Sequence, residues 1–231
     1  MRKLSPLVLA LCVLAACQTM PPAPEGVSRA ISSGASAPQW PQGQHFVVDR
    51  QASSVRLIVR AEGPMARLGH PHVIGGQVIE GEVVLARSWR DSALRLAMDV
   101  SDLAIDRSAW RAAEGFAAVM DGEAVEGTRR NMLSPALLDA EAHPEILIES
   151  IAISGPRWQP DIRVLVTLAG QAREVTVPVA LTIDDQSLTA TGRFVILQSD
   201  FGLTPYATAG GALRVADEVL IRFRIVARPS G

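Results

Sequence analysis

The sequence predicts an all-β domain, an antiparallel barrel or sandwich of about eight strands with one helical insertion. Three observations predict it. Apolar and polar residues alternate in segment after segment from Phe46 onward. Turn-forming pairs separate the segments. Only residues 107–142 abandon the alternation for a stretch rich in Ala, Glu, Met and Leu. A period of two with one apolar face marks half-buried antiparallel strands. Strands repeated without alternating helices argue against a parallel α/β sheet.

The chain opens differently. Met1-Arg2-Lys3 precedes an apolar run from Leu4 to Ala16, closed by Leu14-Ala15-Ala16-Cys17. Positive charges, a short apolar run and small residues before a cleavage point describe a secretory signal. The run is shorter than the roughly 20 residues that span a bilayer. Leu-Ala-Ala-Cys resembles the bacterial lipobox, which implies a lipoprotein signal over residues 1–16 and a lipidated Cys17. Cys12 then leaves with the signal and Cys17 is consumed by lipid. No thiol remains for a disulfide, a thiolate metal site or a nucleophile. Gln18 stands where inner-membrane lipoproteins usually carry Asp, which points to the periplasmic side of the outer membrane. Residues 17–44 hold Pro21, Pro22, Pro24, Pro38 and Pro41 among Ala, Ser, Gly and Gln, the composition of an extended tether.

The strands follow in order. Val55, Leu57 and Val59 alternate with Arg56 and Arg60; Leu94, Leu96, Met98 and Val100 alternate with Arg95 and Asp99. Ile162, Val164, Val166 and Leu168 form one face, and Val175, Val177, Val179, Leu181 and Ile183 another. Leu188, Phe194 and Ile196 share parity, as do Val219, Ile221, Phe223 and Ile225. Turns fall at Gly63-Pro64, Gly155-Pro156, Asp184-Asp185 and Gly210-Gly211. In the insertion, Ser134-Pro135 reads as an N-cap followed by Pro at the first helical position, with the helix ending near His143-Pro144. The insertion falls between two strands, where it is placed to cap one end of a barrel.

Composition narrows the function. The net charge is −2, without the basic excess that nucleic-acid binding needs. Lys3 is the only lysine, so a mature chain has no Schiff-base nucleophile. Five Phe, four Trp and one Tyr are too few for a stacking platform.

Several motifs taken in order resemble the YceI-like family. They are Phe46-Val47-Val48-Asp49, Ser54-Val55-Arg56-Leu57, Leu68-Gly69-His70 and Asn131-Met132-Leu133-Ser134. Leu138-Asp139-Ala140-Glu141-Ala142-His143-Pro144 follows, then Ile146-Leu147-Ile148-Glu149-Ser150. Gly170, Arg173-Glu174-Val175 and Val177-Pro178-Val179 make a hairpin, and Ser199-Asp200-Phe201-Gly202 closes the set before Asp217-Glu218-Val219. The resemblance covers residues 45–228. It implies an antiparallel, lipocalin-like β-barrel around an apolar tunnel, a polyisoprenoid or other long-chain lipid ligand, and no catalytic residues. Two departures stand out: Gln198 replaces an Arg usual in relatives, and the stretch from Asp106 to Gly127 is long.

The candidate tunnel lining is Leu57, Val59, Leu96, Met98, Val164, Val166, Phe194, Ile196, Phe201 and Phe223. An eight-stranded barrel either fills with side chains or holds one small ligand, and small Val, Leu and Ile faces favour leftover space. His70 and His72 are candidate metal ligands; His143 supplies a third if the insertion folds over the first hairpin, and His45 a fourth. Ser199-Asp200 lacks a nucleophile elbow and reads as a turn. Asp184-Asp185 and Asp217-Glu218 fall at strand ends, and Arg129-Arg130 reads as a solvated helix face. No complete catalytic set appears, so the chain is not read as an enzyme and no cofactor is expected. The leading reading is a membrane-tethered lipid-binding barrel for transport or storage. The alternatives are a scaffold lipoprotein with a packed barrel and, more weakly, a His-based metal or haem protein. Monomer and homodimer both stay open.

Overall fold

The computed structural model describes residues 40–230. The signal sequence, Cys17 and residues 17–39 lie outside the described residues. The described residues form one compact unit.

The chain makes an antiparallel meander with a short helical insertion. Its strands are β1 (Gly43–Val48), β2 (Ser54–Glu62), β3 (His72–Gly76), β4 (Glu80–Ala86), β5 (Ala93–Asp99) and β6 (Ala104–Ile105). After the insertion come β7 (Glu145–Ser154), β8 (Asp161–Leu168), β9 (Gln171–Pro178), β10 (Ala180–Ile183), β11 (Leu188–Leu197), β12 (Ala207–Thr208) and β13 (Leu213–Pro229). Among the described residues thirteen strands replace the expected eight or so. Periodicity counts a bent pass of chain once, whereas each bend interrupts the ladder. The passes β1–β2, β3–β4, β5–β6 and β9–β10 are each broken this way, and β12 adds a short ribbon beside β13.

The breaks are repaired locally. β13 passes from β2 to β1 along one edge, with Arg224 opposite Ser54 and Ala227 opposite Val48. Val226 falls in the gap. The buried Ser53 hydroxyl accepts from the Val226 N–H at 3.0 Å, and Asp49 N–H donates to Val226 O at 2.8 Å. The turn Val100–Asp102 between β5 and β6 is capped by Asp99, whose carboxylate accepts from Ser101 N–H at 2.7 Å. The hydrogen-bonded path ends at β9, so the ladder itself does not close. The chain closes the wall instead: it runs through Val179 into β10, and β10 pairs with β11.

The insertion holds α1 (Ser108–Ala113) and α2 (Gly122–Leu133). Asp121 caps α2, accepting from Glu123 N–H at 2.9 Å. Ser134-Pro135 ends this helix rather than starting one. A residue before proline is pushed out of helical space, and Ser134 has φ −68° and ψ 159°. Its hydroxyl donates back to Asn131 O at 2.8 Å. Residues 135–138 and 140–142 are turns. α2 lies over one end of the barrel, whereas α1 packs outside it against β3, where Val73 and its partner Ile58 are almost fully buried.

The inward faces meet in register. Leu57 faces Ile221, which faces Phe194; Val59 faces Val219, which faces Ile196. Phe223 lies opposite Gly192, and its ring sits T-shaped to Phe194 with centroids 6.2 Å apart. A Cβ on Gly192 would lie 2.6 Å from both the Phe223 ring and Pro178 O. Gly192→Val is therefore expected to cost about 1–3 kcal/mol by overpacking, read by urea denaturation. Adding Phe223→Leu recovers part of that loss, because the ring contact goes and the Pro178 contact remains.

Candidate functional site: an apolar cavity with one polar end

Inside the wall lies a cavity of about 360 Å³, within the usual range for small-ligand sites. Strands β2, β3, β5, β7, β8, β9, β11 and β13 each contribute inward residues, and α2 adds Thr128, Asn131 and Met132. No Asp, Glu, Arg or Lys lines it. Burying an unpaired charge is costly, so the part of a ligand held inside is uncharged.

The polar lining residues are His72, Thr128, Asn131, Gln198 and Tyr206. All five sit at the insertion end. His72 pairs with Val59 near the end of β2, Gln198 follows β11, and Tyr206 O accepts from Val215 N–H at the start of β13. The opposite end is lined by residues such as Ile79, Leu94, Ile162, Val179 and Ile225. Only Asn131 and Tyr206 among the lining residues are exposed. The mouth therefore lies between α2 and the loop before β12.

Nine residues of the sequence-predicted lining border this cavity: Leu57, Val59, Leu96, Met98, Val164, Val166, Phe194, Ile196 and Phe223. Phe201 does not. It is 2% exposed in the 3₁₀ turn Ser199–Phe201, which packs against β9, and Gly202 follows at φ 71°. That turn rotates Phe201 out of the β11 parity. The β7 lining residues Ile146 and Ile148 share an alternation legible in the sequence. The α2 contributions carry no such signal, because their placement depends on where the helix lies.

A buried polar cluster stands beside the mouth. Asp106 has φ 54°, a left-handed conformation rare outside Gly, Asn and Asp. Its carboxylate accepts from Val73 N–H at 2.9 Å, from Arg111 Nη1 at 2.8 Å and from His72 Nδ1 at 2.6 Å. Arg111, 2% exposed, also donates from Nη1 to Pro71 O at 2.7 Å and from Nε to Ala117 O at 2.6 Å. Burial pushes the Asp106 carboxyl up, but hydrogen bonds from His72, Val73 N–H and Arg111 outweigh it and hold it below the ordinary 3.8. An ionised carboxylate only accepts, so His72 Nδ1 carries the proton and Nε2 is the free nitrogen. The cluster escaped sequence reasoning because no local pattern joins Asp106 and Arg111 to His72 and Val73 on β3.

The histidines do not form the suggested set. His72 is committed to Asp106, and His70 lines a shallow outer depression with Phe116 and Met120. The His143 ring lies against Gly170, and His45 is exposed on β1. Among the described residues no group of three potential ligands is placed to hold a metal ion. Ser199 Oγ donates to Asp217 at 2.6 Å and its N–H at 2.8 Å, a turn lock that holds the Asp217 carboxyl below its ordinary range. Gln198 is buried and donates to Ala216 O at 2.8 Å. Asp184 caps its own turn through Gln186 and Ser187 N–H. Arg129 corrects the solvated-face reading: it ties α2 to the barrel, donating to Leu103 O at 3.0 Å and Ser101 O at 2.6 Å. Arg130 is exposed, 3.8 Å from Glu126.

An antiparallel wall, few helices and an enclosed apolar cavity define the lipocalin-like barrel class. The YceI-like domain model matches residues 46–227, and the chain belongs to that family. Among solved structures, the chain is similar to Burkholderia cenocepacia BcnA. The two share 20% identity and a TM-score of 0.58, over 78% of this chain and 98% of that one. It is also similar to a polyisoprenoid binding domain from Saccharophagus degradans implicated in plant cell wall breakdown. There the identity is 11% and the TM-score 0.55, over 80% and 98% of the two chains. No curated protein matches.

Asp106→Ala leaves the Arg111 guanidinium buried without its carboxylate, and is expected to cost about 3–5 kcal/mol in chemical denaturation. Asp106→Asn gives the pH signature. The folded-state pKa is depressed, so the wild-type advantage is full above about pH 5 and is lost as pH falls through the folded value. Stability curves of the two proteins should converge in acid; parallel curves would contradict the assigned hydrogen bonds.

Proposed function

We propose that the protein is a non-enzymatic lipid-binding barrel that holds a polyisoprenoid or acyl chain in its cavity. The observation that carries this reading is the uncharged cavity whose polar lining residues gather at its exposed end. An amphiphile fits tail first, with its head near Asn131, Gln198 and Tyr206. Ten buried methylenes contribute on the order of 8 kcal/mol before the costs of association and ordering. The lining offers no cation, so a charged head stays at the mouth. The name of the Saccharophagus degradans relative as a polyisoprenoid binding domain supports the same ligand class. The scaffold reading requires a packed barrel, and the cavity argues against it.

The protein works in the periplasm, anchored through a lipidated Cys17 to the outer membrane, and carries or stores its ligand there. The Leu-Ala-Ala-Cys sequence and Gln18 support that placement.

Mass spectrometry of an organic extract of the purified protein should identify a long-chain lipid, and the emptied barrel should take up a fluorescent prenyl probe. An empty barrel that refuses the probe sinks the reading. Val166→Trp fills the cavity and should weaken probe uptake about tenfold or more while the melting temperature stays within a few degrees. Cys17→Ser should abolish lipid labelling at that residue; labelling that persists would remove the anchor from the model of action.

A further inference from the structure

The end of the barrel opposite the cavity mouth carries a separate set of side chains. Gly43 pairs with Ala86 there, so the chain joins the fold beside the turn that follows β4. Trp40 lies within about 10 Å of Gly43 by chain length. Trp89 stands on the 3₁₀ turn Trp89–Asp91, and Trp158 in the turn between β7 and β8. Three of the four Trp in the chain thus belong to one end. Trp158 is 71% exposed, although a buried position would shelter far more apolar surface.

Three arginines interleave with these rings. Arg87, Trp89 and Arg157 line one shallow depression together with Gly43 and Gln44. The Arg90 guanidinium lies 4.8 Å from the Trp89 ring centroid and donates to Gly155 O at 3.4 Å, which joins the two turns. Among the described residues none of the three forms an ion pair, which leaves their guanidinium groups without a carboxylate partner. The acids at this end are Asp91, Asp161 at the start of β8 and the Asp184-Asp185 turn beyond β10, where Asp184 is occupied by its own turn.

We propose that this end docks on a bilayer bearing anionic phospholipid head groups. Trp rings favour the membrane–water interface, and Arg forks match phosphate oxygens. A soluble acidic partner would use the cations but would not account for the exposed Trp158. The described chain also begins at this end, with Trp40 three residues before β1. Docked this way, the barrel turns its mouth away from the bilayer that holds it. The surface does not depend on what the cavity holds.

The test uses residues 39–231, which contain every strand pairing and the whole core. This polypeptide should sediment with vesicles of mixed phosphatidylcholine and phosphatidylglycerol, and about tenfold more weakly with phosphatidylcholine alone or at high salt. Lipids brominated on the acyl chain should quench its Trp fluorescence. The combined variant Arg87→Glu, Arg157→Glu, Trp158→Ser should lose about tenfold or more in vesicle affinity with its melting temperature and prenyl-probe uptake unchanged. Equal retention of that variant overturns the proposal. So does a loss that follows Leu68→Ser with Val119→Ser at the mouth end instead, or binding to a soluble polyanion without binding to vesicles.

Discussion

An antiparallel wall that curves back on itself has to satisfy every backbone N–H and C=O on the way round, and here that requirement decides where the strands break. Each pass bends where continuous pairing cannot follow the curvature. Ser53 fills the place on β13 between β2 and β1, Asp99 caps the turn out of β5, and Val179 lets one pass serve β8 and then β11. Gly192 lets the Phe223 ring lie across the strand backbone, so the inner face packs without opening the ladder.

The wall also sorts polarity. Alternation sends the charged members of each strand outward, and they pair there in bridges such as Arg95 with Glu149. Inside, Val, Leu and Ile are too small to meet across the barrel, and space is left. The one deeply buried ion pair among the described residues, Asp106 with Arg111, sits outside the cavity under α1. It joins the insertion to β3 through Val73 and Pro71 and reaches the interior only through the His72 ring. The long insertion is thus held by charge without placing charge in the cavity.

How far the sequence could be read follows from the range of the interactions. The strand faces of β2, β5, β8, β11 and β13 were legible because period-two patterning is a local property. Nine lining residues followed from that parity. Phe201 did not, because a 3₁₀ turn resets parity and only packing against β9 reveals it. Ser134-Pro135 carried the right residues for a helix start, yet the same proline limits the residue before it, and the preceding helix made Ser134 an end. Arg129 was read as solvated and the Asp106 cluster went unrecognised, because their partners lie on other elements.

By itself the sequence determined the antiparallel class, the inward faces, the turns and the exclusion of charge from those faces, all set by neighbours within a few residues. Only the tertiary structure decided that the faces enclose a cavity, that its polar residues gather at one end, and that Arg and Trp side chains from separate turns meet at the other. Those features depend on the curvature of the wall and on which loops come together at its ends, and no local pattern encodes distances between residues so far apart in the chain.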